Sequence, residues 1–190
     1  SAPTDLSLLA TPPIAWYRMG DNGAYKSPQW LLPNNENKDK VSNYSLSFDA
    51  VDDYVNCGVI SNFVSSSAFS ICGWFYFDSV VNETLFSYGG SVGTQYCFTV
   101  QTFSGGNLIF VIANATNDAG NNYIQTNLSS VLNTSTWYHI ACTYDGSQAG
   151  NTDKAKIYVN GTEATYGSGG GTIPNTTSAS TGSFNIGRWD

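Results

Sequence analysis

Lys156 to Tyr166 reads KIYVNGTEATY, two β-forming runs hinged on Asn160-Gly161. A two-residue loop of this kind needs positive φ at both central positions, which Asn and Gly tolerate best. The segment therefore predicts a type I′ turn closing an antiparallel hairpin. The same texture extends in both directions. Runs rich in β-branched and aromatic residues, each ended by Gly, Asn, Ser or Asp, occur as PIAWYRM (13–19), YSLSFD (44–49), DYVNCG (53–58), FSICGWFYF (69–77) and TLFSYG (84–89). They continue as QYCFTVQTF (95–103), NLIFVIA (107–113), NYIQTN (122–127), TWYHIACTYDG (136–146) and SFNIGRW (183–189). No long stretch repeats apolar residues at helical spacing. About eleven short strands in one chain predict an all-β fold, an antiparallel sandwich or barrel.

Two stretches carry more detail. FSICGWFYF is apolar or aromatic on both alternations, which predicts a central strand covered on both faces. Gly167 to Ser183, GSGGGTIPNTTSASTGS, is poor in apolar residues and predicts a mobile loop.

The 190 residues suit one main domain, and 41% hydrophobic and 14% aromatic content supports a real core. Only 11% of residues are charged, so the polar surface is built of Asn, Ser, Thr and Gly. That skin suits an extracellular or virion-surface location. A net charge of −7 with seven basic residues excludes a phosphate-tracking stripe, so nucleic acid is not an expected partner. The same deficit speaks against anionic lipid, and no apolar run reaches the roughly 20 residues that span a bilayer, so membrane insertion is not expected.

Cys57, Cys72, Cys97 and Cys142 lack C-x-x-C pairing, which removes a zinc motif and leaves either disulfides or buried thiols. Seven N-x-S/T sequons, at Asn43, Asn82, Asn114, Asn127, Asn133, Asn160 and Asn175, stand against about four expected by chance at this Asn, Ser and Thr content. They are weak evidence of glycosylation.

Asp49, Asp52 and Asp53 fall within five residues in SLSFDAVDDYVNCG, Ser45 to Gly58. Two roles compete. Asp side chains at a turn accept backbone N–H groups. Clustered carboxylates also begin the shell of a hard cation, calcium by preference, with Asp21 in the opening turn as a further ligand. Catalysis is disfavoured. Glycoside hydrolysis needs two carboxyl groups about 5 to 9.5 Å apart across the scissile bond, and the three Glu, at 36, 83 and 163, begin no alternating acid motif along a strand. The lone His139 lies mid-strand and reads as a packed or edge residue, and no G-x-S-x-G or Gly-rich phosphate loop is present. The expectation is a protein that is not an enzyme.

In order, the segments resemble the laminin-G/pentraxin-like branch of the concanavalin A-like jelly rolls. PIAWYRMGDNG resembles that group's opening strand and acidic turn. YSLSFDAVDDYVNCG resembles its F-D-G-x-x-D-Y-V segment, with Ala50 in place of the usual Gly. FSICGWFYF resembles the strand around its central Trp; STWYHIACTYDGS followed by KIYVNGTEAT, and then FNIGR, resemble its later strands. The resemblance implies a jelly-roll β-sandwich of two antiparallel sheets over residues 14–190, after an N-terminal extension at 1–13. Pentraxins of this branch join two strands by a disulfide. Cys72 matches one of those cysteines, but the partner position falls at Ala141, and an offset of one residue turns Cys142 to the opposite face. The pentraxin calcium loop follows the I-G strand and cannot be carried over. The family's last strand is expected to be absent from this chain, or to be supplied by another chain across a sheet edge. AWYRMGDNG followed by WLLPN also resembles jelly-roll modules of structural proteins in marine tailed phages.

Two functions follow as expectations. The first is a non-catalytic module binding a glycan or cell-surface receptor, with calcium as the candidate cofactor and Trp74, Tyr76, Tyr88, Tyr96 and Tyr123 as candidate stacking rings. For each ring the competing role is an ordinary core or sheet-face aromatic, and Trp74 in particular is expected in the core. The second is a structural subunit decorating a capsid or appendage, held to other chains of the assembly through sheet edges.

Overall fold

The computed structural model describes residues 45–49, 51–89, 96–113, 122–127 and 132–188. They form eleven strands: β1 (Val55–Asn56), β2 (Ala68–Tyr76), β3 (Thr84–Gly89), β4 (Tyr96–Phe103), β5 (Asn107–Ile112), β6 (Tyr123–Thr126), β7 (Trp137–Asp145), β8 (Ala155–Val159), β9 (Thr162–Glu163), β10 (Tyr166–Gly170) and β11 (Ser183–Ile186). A single helical turn, α1 (Asn151–Lys154), precedes β8. One sheet runs β1-β11-β3-β4-β5-β6-β10 and the other β2-β7-β8-β9, with antiparallel neighbours throughout. This is the two-sheet β-sandwich that the alternating runs predict. It lies within the unit Ser47–Asp190, separate from Ser1–Leu46. The expected boundary between residues 13 and 14, and the opening strand at 13–19, lie outside the described residues.

The core fills by period-two alternation. Along β7, Tyr138, Ile140, Cys142 and Tyr144 are buried, and Trp137, His139, Ala141 and Thr143 turn outward. Opposite them stand Phe86, Tyr88, Phe98, Val100, Phe110 and Ile112 of β3, β4 and β5. Phe63 and Phe69 interleave with this layer, edge-on to each other at 5.2 Å. Gly73 makes room inside β2, since a Cβ there would stand 3.1 Å from the Phe75 ring and 3.3 Å from Phe86.

The Asn160-Gly161 turn forms as its sequence predicts, with φ of 50° and 81° and Val159 paired to Thr162. The Asn160 side chain also accepts the His139 N–H at 2.9 Å, and the Asn160 N–H donates to the His139 carbonyl at 2.8 Å, tying the hairpin to β7.

Four expectations need correction. Ser45–Asp49 is exposed and forms no strand. The Gly/Ser/Thr-rich stretch is no loose loop: it holds β10 from Gly167 onward, and Ile173, Pro174, Thr177, Ser178 and Ser180 are buried. Its few apolar side chains are supplemented by hydrogen bonds. The Tyr144 hydroxyl donates to the Pro174 carbonyl at 2.7 Å, the Thr177 hydroxyl to the Phe63 carbonyl at 2.6 Å, and the Ser178 hydroxyl to the Tyr96 carbonyl. Lys154 buries its ammonium here, donating to the Ile173 carbonyl at 2.8 Å and to Asn175 Oδ1 at 2.7 Å. Next, β2 is not covered on both faces; among the described residues it is an edge strand with an exposed outer face. Finally, Trp74 is 65% exposed and outside the core.

All four cysteines are free. Cys72 stands opposite Ala141, and Cys142 points into the core from the neighbouring position. The one-residue offset seen in the sequence thus separates the two sulfurs across the sheet, and burial pushes the Cys142 thiol well above its ordinary pKa.

Candidate functional site

Asp49, Asp52 and Asp53 do come together: one carboxylate oxygen from each lies within 4.8 Å of the others, and all three residues are exposed. Their hydrogen bonds are those of a turn. Asp49 Oδ1 accepts the Val51 N–H at 2.9 Å and the Asp52 N–H at 3.3 Å, while the Asp49 N–H donates to Asp53 Oδ2 at 3.1 Å. The Val51 N–H, then that of Asp52, holds the Asp49 carboxyl below the usual carboxylate range. Three monodentate oxygens are half or less of the six to eight that calcium takes. Asp21, the fourth expected ligand, lies outside the described residues.

The expected stacking rings divide. Tyr88 and Tyr96 are buried and are core residues: Tyr88 stacks on Phe98 at 6.2 Å and meets Phe63 edge-on at 5.8 Å. Neither presents a ring face to a ligand, because β3 and β4 are buried along most of their length. Tyr123 is half-buried on β6, in the other sheet from Trp74 and Tyr76.

Trp74 and Tyr76 do share a surface, the outer face of the four-stranded sheet. Trp74 is 65% exposed, Tyr76 46% and Trp137 49%. Pairing between β2 and β7 sets Tyr76 against Trp137, with ring centroids 5.6 Å apart, and Trp74 against His139 at 5.4 Å, edge to face. The next row runs Cys72, Ala141, Tyr158 and Glu163. Successive rows on one face of a sheet are about 6.7 Å apart. The rings therefore line one end of the face, over two adjacent rows. Charge gathers at the β8–β9 margin, where Lys156 meets Glu163 at 3.2 Å. That hydrogen bond raises the Lys156 pKa and holds the pair as a neutral unit.

The sequence reading missed Trp137, His139 and Tyr158. The signal was present in TWYHIACTYD. Once Tyr138, Ile140, Cys142 and Tyr144 are assigned inward, the alternate residues Trp137 and His139 must face out. The register with β2 then carries them beside Trp74 and Tyr76.

A layered antiparallel body of this kind, with bare aromatic rings on one sheet, fits the comparison by family. The chain belongs to the concanavalin A-like lectin/glucanases superfamily, whose laminin-G model matches residues 49–190. Laminin-G-like domains are often non-catalytic binding modules. No curated protein matches the chain.

Proposed function

We propose that this protein is a non-catalytic binding module that holds a neutral carbohydrate on the rings of Trp74, Tyr76 and Trp137, displayed outside the cell or on a virion surface. One observation carries the reading: three large aromatic side chains, each close to half exposed or more, stand in adjacent rows of one sheet face. Sugar rings stack their C–H faces on such groups, and the apolar contact needs no charge on the ligand. The Lys156–Glu163 pair and the Tyr158 hydroxyl at the margin supply polar contacts for orientation.

Calcium enters this reading only at the Asp49–Asp53 turn, which precedes β1 of the other sheet. Sugar binding at the rings is accordingly expected to survive EDTA. The virion setting draws support from the resemblance of AWYRMGDNG and WLLPN to phage structural modules, and from an uncharged, Asn-rich surface.

A glycan array run with and without EDTA tests the proposal. Reproducible hits that weaken in Trp74→Ala and Trp137→Ala support it. Hits that persist in both variants place the site elsewhere, and a blank array leaves the purely structural subunit as the better reading.

A further inference from the structure

The hairpin turn and the aromatic face meet at one residue. β7 and β8 pair from Tyr144–Ala155 to Ile140–Val159, and Asn160 carries the ladder one residue further. Asn160 Oδ1 accepts the His139 N–H at 2.9 Å, and the Asn160 N–H donates to the His139 carbonyl at 2.8 Å. On the opposite flank His139 stands against Trp74 of β2. The main chain of His139 is therefore held by strand on one side and by the turn on the other.

Alternation along β7 turns the His139 side chain to the outer face, where Trp74, Tyr76 and Trp137 lie. Its ring is half-buried and meets Trp74 edge to face, with centroids 5.4 Å apart and planes at 63°. Neither ring nitrogen makes a hydrogen bond among the described residues, since both bonds of His139 run through its main chain.

Of the four rings, the imidazole alone carries a donor and an acceptor within the ring. An indole only donates, and a phenol keeps its hydroxyl outside the ring, at the tip. In a neutral imidazole one nitrogen donates and the other accepts, which matches a sugar hydroxyl, itself both donor and acceptor. Stacking follows the apolar area covered and reads hydroxyl configuration poorly. A hydrogen-bonding group beside the platform reads it well, because the wrong epimer leaves that group unpaired.

We infer that His139 is the specificity-determining residue of the sugar site. A neutral pyranose stacked on Trp74 turns its edge hydroxyls to the imidazole nitrogens, and His139 selects among epimers by their configuration. Asn160 is a positioning residue that acts through the main chain of His139. The inference rests on the reading of the aromatic face as a carbohydrate platform, and the test separates the two.

The chain holds a single histidine, so its imidazole Cε1–H gives one NMR signal, identified by its loss in His139→Phe. The test uses the full chain and the methyl glycosides of glucose, of mannose (its C2 epimer) and of galactose (its C4 epimer). One of the three is expected to shift the imidazole signal saturably and to bind about fivefold or more tightly than the others, the worth of one hydrogen bond. His139→Phe keeps a ring against Trp74 and removes the nitrogens, so the three Kd values, followed by Trp fluorescence, are expected to converge. Asn160→Gly keeps the turn, since Gly reaches positive φ, but removes Oδ1, and is expected to lose selectivity. Asn160→Asp restores an acceptor oxygen and with it the selectivity.

Selectivity that survives His139→Phe overturns the inference and leaves the platform standing. So does an imidazole signal that stays still while a glycan known to need Trp74 binds. Equal selectivity in Asn160→Gly and Asn160→Asp overturns the positioning role. A blank glycan array, or hits that survive Trp74→Ala, overturn the carbohydrate reading itself and the inference with it.

Discussion

Replacing Trp74 by Ala should separate binding from stability. A Trp side chain carries about 250 Å² of surface, and with 65% of the residue exposed only some 80–90 Å² of it is removed from water in the free protein. At roughly 25 cal/mol per Å² that burial stabilises the fold by about 2 kcal/mol at most. The edge-on contact with His139 is already part of that total. A bound sugar would cover a comparable area on the exposed side of the ring. Truncation should then weaken binding by about 1.5–2.5 kcal/mol, a 10- to 70-fold rise in Kd. Titration calorimetry with a hit from the glycan array measures the second effect, and urea unfolding followed by Tyr fluorescence measures the first. Tyr88→Ala is the contrast: that ring is fully buried in the core, so the loss should be about 3–5 kcal/mol of stability. If Trp74→Ala destabilises the protein as much as Tyr88→Ala, the ring is covered and the face is not a platform. If both stability and Kd stay at wild-type values, the ring plays no part in recognition.

Three further outcomes follow from the geometry. Lys154→Met leaves the Ile173 carbonyl and Asn175 Oδ1 without their donor, and denaturant titration should show a loss of about 1–3 kcal/mol. Gly161→Ala introduces a side chain at φ +81° with no atom within 4 Å of the new Cβ, so the penalty is backbone strain alone, about 1–2 kcal/mol, and should appear as a modest fall in Tm. Asp49 is held below its ordinary pKa, so its contribution to stability is fully present above the unfolded value of about 3.9 and fades as pH falls through the lower folded value. Asp49→Asn should flatten the acid limb of a Tm-against-pH curve below about pH 4, and should abolish any calcium-dependent rise in Tm, which differential scanning fluorimetry checks.

The local rules of the chain were legible in order. Asn160-Gly161 dictates its turn because few other residue pairs reach positive φ twice in succession. The alternation in TWYHIACTYDG fixes which side chains of β7 are buried, because successive residues of a strand point to opposite faces. Even the failure of Cys72 and Cys142 to pair follows from an offset of one residue. The Asp49–Asp53 turn also acts locally, through bonds that span four residues or fewer.

What the sequence left open depends on neighbours distant along the chain. FSICGWFYF is apolar on both alternations, and nothing within those nine letters says whether another layer covers its second face. Tyr88 and Trp74 look alike as candidate rings, yet one lies beneath Phe63 and Phe98 while the other stands bare beside His139. Gly167–Ser183 reads as loose because its apolar content is low, but its order comes from Tyr144, Lys154 and Phe63, residues that strand pairing brings to it. Hydrogen bonds and burial between segments 19 to 114 positions apart decide these matters, and a local pattern of residues carries no record of which partner arrives.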